Sequence, residues 1–320
     1  MKAQLASPRP GSVRVAIAQV APILGDREAS VARVASCMAE AAREQTRLIL
    51  FAQTQVPGPL PDPEFLRPGS LDSITHGRLR ARFAREALNS PTRHKPLGGL
   101  ENLASLARDL GLVCVLGGIE REGAGAGGKL FSSAVVLDEG GGATWRRRTI
   151  LKPSERTFLN PGDARGLAPF EYAGLRFGVV LGPEARSPLT RAALAAQGVD
   201  VWLVLEGPGL PAPSAQAAWL AADGVAYVLL AAPILRAGDI PLDLPGREHW
   251  LLPAELLLPG GSTIASPRGA LLHRPAYSRE AILYADLDPE QVAQARLEFD
   301  PYGFDARPDL FEARILRTPE

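Results

Sequence analysis

Apolar positions along this chain fall into two alternating rhythms. Val13 to Val20 keeps the period of a half-buried strand, Ala29 to Arg43 carries apolar residues at helical spacing, and Leu48 to Phe51 reads as a short buried strand. The β-α-β unit recurs. Leu100 to Leu110 reads as a helix and Leu112 to Gly117 as a strand. Arg176 to Leu181, Pro188 to Gln197 and Val201 to Leu205 give strand, helix and strand, followed by a helix over Ala215 to Ala222 and a strand over Tyr227 to Ala232. Further strands are expected at Phe131 to Leu137, Trp145 to Ile150, Thr263 to Ser266 and Ile282 to Asp286. That is more than one open sheet holds comfortably, so two packed sheets are expected in an α/β sandwich.

Breaks in the rhythm mark connectors: Pro57 to Pro68, Glu122 to Lys129, Glu139 to Gly142, Gly207 to Pro213 and Gly238 to Pro259. None divides the alternating series. The expected organisation is a flexible arm over residues 1–12, one domain over 13–288 and a C-terminal extension over 289–320.

Composition narrows the function classes. The 320 residues hold 35 Lys+Arg against 35 Asp+Glu, so no net field draws a polyanion or an acidic membrane. Nucleic acid and membrane are therefore not expected as partners. No apolar run reaches the roughly 18 residues of a membrane span, and Cys37 and Cys114 read as buried, reduced thiols, which fits a cytoplasmic setting. His76, His94, His249 and His273 are isolated and form no metal constellation. Neither a metal nor a cofactor is expected.

In α/β sheets, chemistry gathers in the loops at the carboxyl ends of strands. Three such places draw attention: Ala52-Gln53 after LILF, Leu151-Lys152-Pro153-Ser154-Glu155 after RRRTI, and Gly182-Pro183-Glu184 after RFGVVL. With VRVAIAQVAPILGDREASV, GGLENLASLARDLGLVCVLGGIERE, LKPSERTFLNPGD, RFGVVLGPEARSPLTRAALAAQGVDVWL, LPGGSTIASPRGALL and a closing block ending in Arg307-Pro308-Asp309, the chain resembles the nitrilase branch of the carbon-nitrogen hydrolase superfamily over nearly its whole length. The resemblance implies a four-layer α-β-β-α sandwich, often paired and further oligomerised. It also implies a thiol mechanism, in which a glutamate acts as base, a cysteine attacks a nitrile or amide carbon, a lysine stabilises developing charge and a second glutamate orients the group.

The chain departs from that pattern at two positions. The base position reads Gln53 and the nucleophile position Gly182, while Lys152, Glu155 and Glu184 match family residues, in a lysine loop shortened by about two residues. Glycine offers no atom to replace a thiolate, and a glutamine amide takes no proton near neutral pH. The expected function is a catalytically silent homologue, a ligand-binding or partner subunit. The alternatives are an enzyme of altered, non-thiol chemistry in the same pocket, acting on a C-N bond of a small nitrile, amide or carboxylate, and an ordinary hydrolase whose elbow lies elsewhere. Ser187 before Pro188 reads as a helix N-cap rather than a nucleophile, and Glu184 is a candidate for activating water directly.

Gln53, Lys152 and Gly182 are expected to converge, each within a residue or two of a strand's carboxyl end. With Gln53 neutral, the pocket is expected to be more positive than in its relatives and to take a small carboxylate or other compact anion. Arg146-Arg147-Arg148 reads as a solvated strand end, and Gly260-Gly261-Ser262 as a turn into a strand. Expected partners are further copies of the chain or an intact nitrilase.

Overall fold

The computed structural model describes residues 7–60, 72–123, 127–209, 212–247 and 255–316. The first strand sets the plan. In β1 (Val13–Gln19) every residue is buried, with Val13, Val15 and Ile17 turned toward a second sheet while Ala16 and Ala18 face helices. Opposite faces of a strand thus feed two different apolar layers, as its period of two requires.

β1 is joined by α1 (Arg27–Arg43), which starts at Asp26 accepting from Ala29 N, to β2 (Leu48–Phe51), which runs parallel to it. Next come α2 (Ser73–Glu86), the short β3 (Leu88–Asn89), α3 (Glu101–Leu110), β4 (Val113–Glu122), β5 (Lys129–Leu137) and β6 (Ala143–Arg147). The second half contains β7 (Phe170–Tyr172), β8 (Leu175–Leu181), α4 (Pro188–Ala195), β9 (Val201–Leu205), α5 (Pro213–Gly224), β10 (Tyr227–Ala231), β11 (Ile234–Arg236), β12 (Leu256–Ala265), β13 (Ala276–Tyr277), β14 (Ala281–Leu287) and α6 (Pro289–Arg296).

Two sheets result, ordered β14-β1-β2-β4-β5-β6 with β3 beside β4, and β11-β12-β10-β9-β8-β7 with β13 beside β12. Between them lies an aliphatic core, including Ile17, Leu50, Val115, Val179, Leu203 and Leu229. α1 and α3 cover the first sheet through Val34, Met38, Leu103 and Ala107, and α4 and α5 cover the second through Leu194, Ala217 and Leu220. The expected α-β-β-α sandwich is therefore the architecture of the described residues. α6 buries Val292 in the central core and extends the packed fold past β14.

Several local expectations change. α2 was not legible as a helix, because Gly77 and four arginines dilute a pattern whose buried members are only Leu79, Phe83 and Ala84. The expected strand through Ile150 stops at Arg147, since Thr149 N donates to Glu184 instead of to a neighbouring strand. Gly260-Gly261-Ser262 lies inside β12, where the register with β13 shifts. There Gln19, reaching across from β1, accepts from Gly261 N (3.0 Å) and Ser262 N (2.9 Å) and donates to Ala276 O and Arg279 O. A Cβ on Gly260 would stand 2.3 Å from Gln19 Nε2, so the glycine makes room for this bridge between sheets. The connector expected through Pro259 gives way to β12 at Leu256. Residues 1–6 of the expected arm, much of the Pro57 to Pro68 loop and His249 lie outside the described residues.

Candidate functional site

Gln53 lies two residues beyond β2, at the edge where the two sheets meet. Its N–H donates to Glu206 O (3.1 Å), just past β9, and a Cβ on Gly117 of β4 would stand 2.0 Å from its carbonyl oxygen. A glycine at 117 is what lets the segment after β2 lie this close to β4. The Gln53 side chain is 1% exposed and points toward two more glycines. A Cβ on Gly182 would stand 2.6 Å from Gln53 Oε1, and one on Gly207 would stand 3.0 Å from the same atom. The carboxamide therefore fills the space a side chain at 182 would need. Among the described residues, Oε1 has no hydrogen-bond donor.

Gly182 follows directly on β8 with φ +49°, a left-handed conformation that glycine adopts without the usual Cβ penalty. A 3-10 turn, Gly182–Arg186, leads into α4, whose N-cap is Ser187 accepting from Thr190 N (3.3 Å). Ser187 is thus used as a cap.

Glu184 is wholly buried. One carboxylate oxygen accepts from Thr149 N (2.7 Å) and Thr149 Oγ1 (2.8 Å); the other accepts from Leu181 N (3.0 Å) and lies 2.7 Å from Arg146 Nη1. These contacts pin the elbow of the second sheet to the segment leaving the first. A carboxylate so engaged is poorly placed to take a proton from water.

The arginine triplet is not solvated. Alternation along the strand end sends Arg146 and Arg148 to one side, where both are buried, and Arg147 to the other, against Glu120 at 2.6 Å and Glu122 at 2.7 Å. Arg148 Nη2 lies 2.7 Å from Glu155 Oε2, while its Nη1 would be 3.5 Å from a Cβ on Gly182. Neither Nε nor Nη2 of Arg148 meets a hydrogen-bond acceptor in good geometry, so its contact with Glu155 is an ion pair without a directed bond.

Lys152, by contrast, lies five residues beyond β6, at the start of the 3-10 turn Pro153–Thr157. Its N–H donates to Glu155 Oε2 (2.8 Å) and its Nζ to Pro208 O (2.7 Å). The expected convergence is therefore met by Gln53 and Gly182 directly, whereas the cation facing Gly182 is Arg148. Lys152 joins the same end of the sandwich through Pro208 and Glu155, but not within two residues of a strand.

A further carboxyl completes the cluster. Glu206, 3% exposed, accepts from Gln216 Nε2 (2.9 Å) on α5. Burial pushes its pKa up from the ordinary carboxylate range, and Gln216, Arg186, the Gly207 N–H and Lys152 pull it back. Arg146, Arg148 and Lys152 thus meet Glu184, Glu155 and Glu206 at this end, three basic side chains with three carboxyl groups. The sequence signal for Glu206 was its place directly after the VWLVL strand.

The cavity beside these groups is lined by Gln53, Thr54, Ile119, Glu155, Phe158 and Pro208, among others, and about 20 Å³ of it is open to the centre of a water molecule. That is room for one or two waters. Neither thiol reaches it. Cys37 on α1 and Cys114 on β4 are buried free thiols in the layer between that helix and its sheet; burial pushes the Cys37 thiol up to about 11 and the Cys114 thiol higher still. Among the described residues no group of His, Cys, Asp and Glu could hold a metal, and no helix is long and apolar enough to cross a membrane.

A carbon-nitrogen hydrolase family profile matches residues 14–297. The chain belongs to the carbon-nitrogen hydrolase family. Within that family it is 27% identical over 310 residues to an aliphatic nitrilase of Sinorhizobium fredii, covering 96% of each chain. It is 28% identical over 306 residues to a bifunctional nitrilase/nitrile hydratase of Nicotiana tabacum, covering 93% of this chain and 84% of that one. Among solved carbon-nitrogen hydrolase folds, Nit3 of Saccharomyces cerevisiae superposes with a TM-score of 0.71 at 20% identity, covering 92% and 97% of the two chains. An amidase from Nesterenkonia, solved with acrylamide as a double variant carrying glutamine for a glutamate and alanine for a cysteine, superposes with a TM-score of 0.62 at 18% identity, covering 92% and 98%.

Proposed function

We propose that this carbon-nitrogen hydrolase homologue is catalytically silent toward nitriles and amides and serves in the cytoplasm as a ligand-binding or partner subunit, paired with further copies of itself or with an intact nitrilase. The observation that carries this reading is the fit of the Gln53 carboxamide into the space left by the absent side chain at Gly182. A thiol pathway needs an attacking sulfur and a base, and neither residue supplies one. Where such groups act as a unit, loss of the nucleophile alone removes most of the rate.

Altered chemistry through Glu184 is the weaker reading, because both of its oxygens are engaged by Thr149, Leu181 and Arg146. The Nesterenkonia amidase double variant, with a glutamate and a cysteine replaced, is likewise found in complex with a small amide, acrylamide. Ammonia release from a panel of aliphatic and aromatic nitriles and amides tests the proposal. No release above buffer is expected; turnover at a rate ordinary for an enzyme, about 1 per second or faster, would overturn it.

A further inference from the structure

Arg146 and Arg148 are both buried guanidiniums with incomplete hydrogen bonding, and of the two it is Arg148 that lies beside Gly182. The guanidinium is 1% exposed, yet Nε has no hydrogen-bond acceptor, Nη2 meets Glu155 Oε2 at 2.7 Å as an ion pair without a directed bond, and Nη1 faces the position where a side chain on Gly182 would begin. Beside it, Gln53 Oε1 is an acceptor with no donor. Buried polar atoms left unpaired cost roughly 1–3 kcal/mol each, so both side chains gain from a better partner. No hydrogen bond to Oε1 holds the Gln53 carboxamide in its slot, and swinging it aside therefore breaks none there.

Resting on the non-catalytic reading above, we propose that Arg148 is the anion receptor of this site and that its ligand is a small carboxylate seated beside Gly182, in the space the Gln53 carboxamide now fills. The chemistry follows from shape. A guanidinium presents a planar fork of donors that matches the two oxygens of a carboxylate, whereas a nitrile offers one linear acceptor and a primary amide brings its own donors against those of the arginine. Glycine at 182 and at 207 leaves the slot walled by backbone on two sides, wide enough for a planar group such as the carboxamide already there. The Arg148–Glu155 pair is the competitor, since an incoming carboxylate must share the guanidinium with Glu155. Glu206, pushed toward its neutral form by burial, adds less repulsion than a free carboxylate would. Lys152 is the less suitable receptor, because its ammonium already donates to Pro208 O.

The test is a matched series with one carbon skeleton: isobutyrate, isobutyramide and isobutyronitrile, titrated by calorimetry and thermal shift at constant ionic strength set with chloride. The native chain is expected to bind isobutyrate at least tenfold more tightly than the other two. Arg148→Lys, which keeps the charge and the pairing with Glu155 but loses the fork, is expected to weaken isobutyrate binding about tenfold. Lys152→Met is expected to change it less than twofold, and Gln53→Ala, which empties the slot, to strengthen it. Equal affinity across the series, an equal loss in Lys152→Met, or no binding by either the native chain or Gln53→Ala would overturn the assignment. Gln53→Ala keeps the test decisive should Arg148→Lys fold poorly. Ammonia release from the amide or nitrile would overturn the non-catalytic reading instead, and leaves the carboxylate result to be judged by itself.

Discussion

A Cβ on Gly182 would stand 2.6 Å from Gln53 Oε1, well inside van der Waals contact, so the segment leaving β2 and the segment leaving β8 touch one another at these two residues. Gly182→Ala is expected to lower stability by about 1–2 kcal/mol, mainly through the left-handed backbone at φ +49°. The contact with Gln53 involves the free end of a flexible side chain and adds less. Urea denaturation of Gly182→Ala, Gln53→Ala and the double variant separates the two contributions: the backbone part persists in the double variant and the contact part disappears.

Glu184 ties the elbow after β8 to Thr149 and Arg146 across the sheets. Glu184→Gln keeps the shape but leaves Arg146 buried without its counter-charge. A loss of about 3 kcal/mol is expected from the urea midpoint, the scale on which breaking one side of a buried pair operates. A loss below about 0.5 kcal/mol would contradict the role given to this pair.

Gln19 makes a comparable bridge with no charge, joining β1 to β12 and to the segment around β13. Gln19→Ala strands the N–H groups of Gly261 and Ser262, and a loss of about 3 kcal/mol is expected in the same measurement.

Legibility in the sequence divided along physical lines. Strands such as Leu48–Phe51 and Val201–Leu205, and the pairing of Gln53 with Gly182, were readable because short apolar runs and their carboxyl ends are local signals. The cation beside Gly182 was not readable. Lys152 lies in the loop that follows, and only the end of β6 at Arg147, set by the bond from Thr149 N to Glu184, shows that Arg148 is the residue turned toward Gly182. Arg146 and Arg148 as buried ion-pair partners could have been suspected from their shared face in a period of two, but their carboxylates come from segments 38 and 7 residues further on, respectively. Glu206 was hidden by the connector that begins right after it.

Glu206 gives the chain a pH dependence of definite sign. Its folded-state pKa is raised above the ordinary 4.5, so the folded chain holds a proton that the unfolded chain releases first. The associated stability is fully present below the unfolded value and is lost as pH rises through the folded value. Glu206→Gln, which mimics the protonated form, is expected to be more stable than the native chain at pH 8 and to show less decline between pH 5 and pH 8. Parallel urea titrations at the two pH values check this; identical declines in the two proteins would exclude Glu206 as the source.

Absence of a covalent thiol pathway is tested most directly by intact-mass spectrometry after prolonged incubation with an electrophilic aromatic nitrile, followed by peptide mapping of the segment from Arg176 to Ser187. With glycine at 182 and both cysteines buried, the chain is expected to emerge at its unmodified mass. A stoichiometric adduct within that segment, or on Cys37 or Cys114 of the folded chain, would contradict the account.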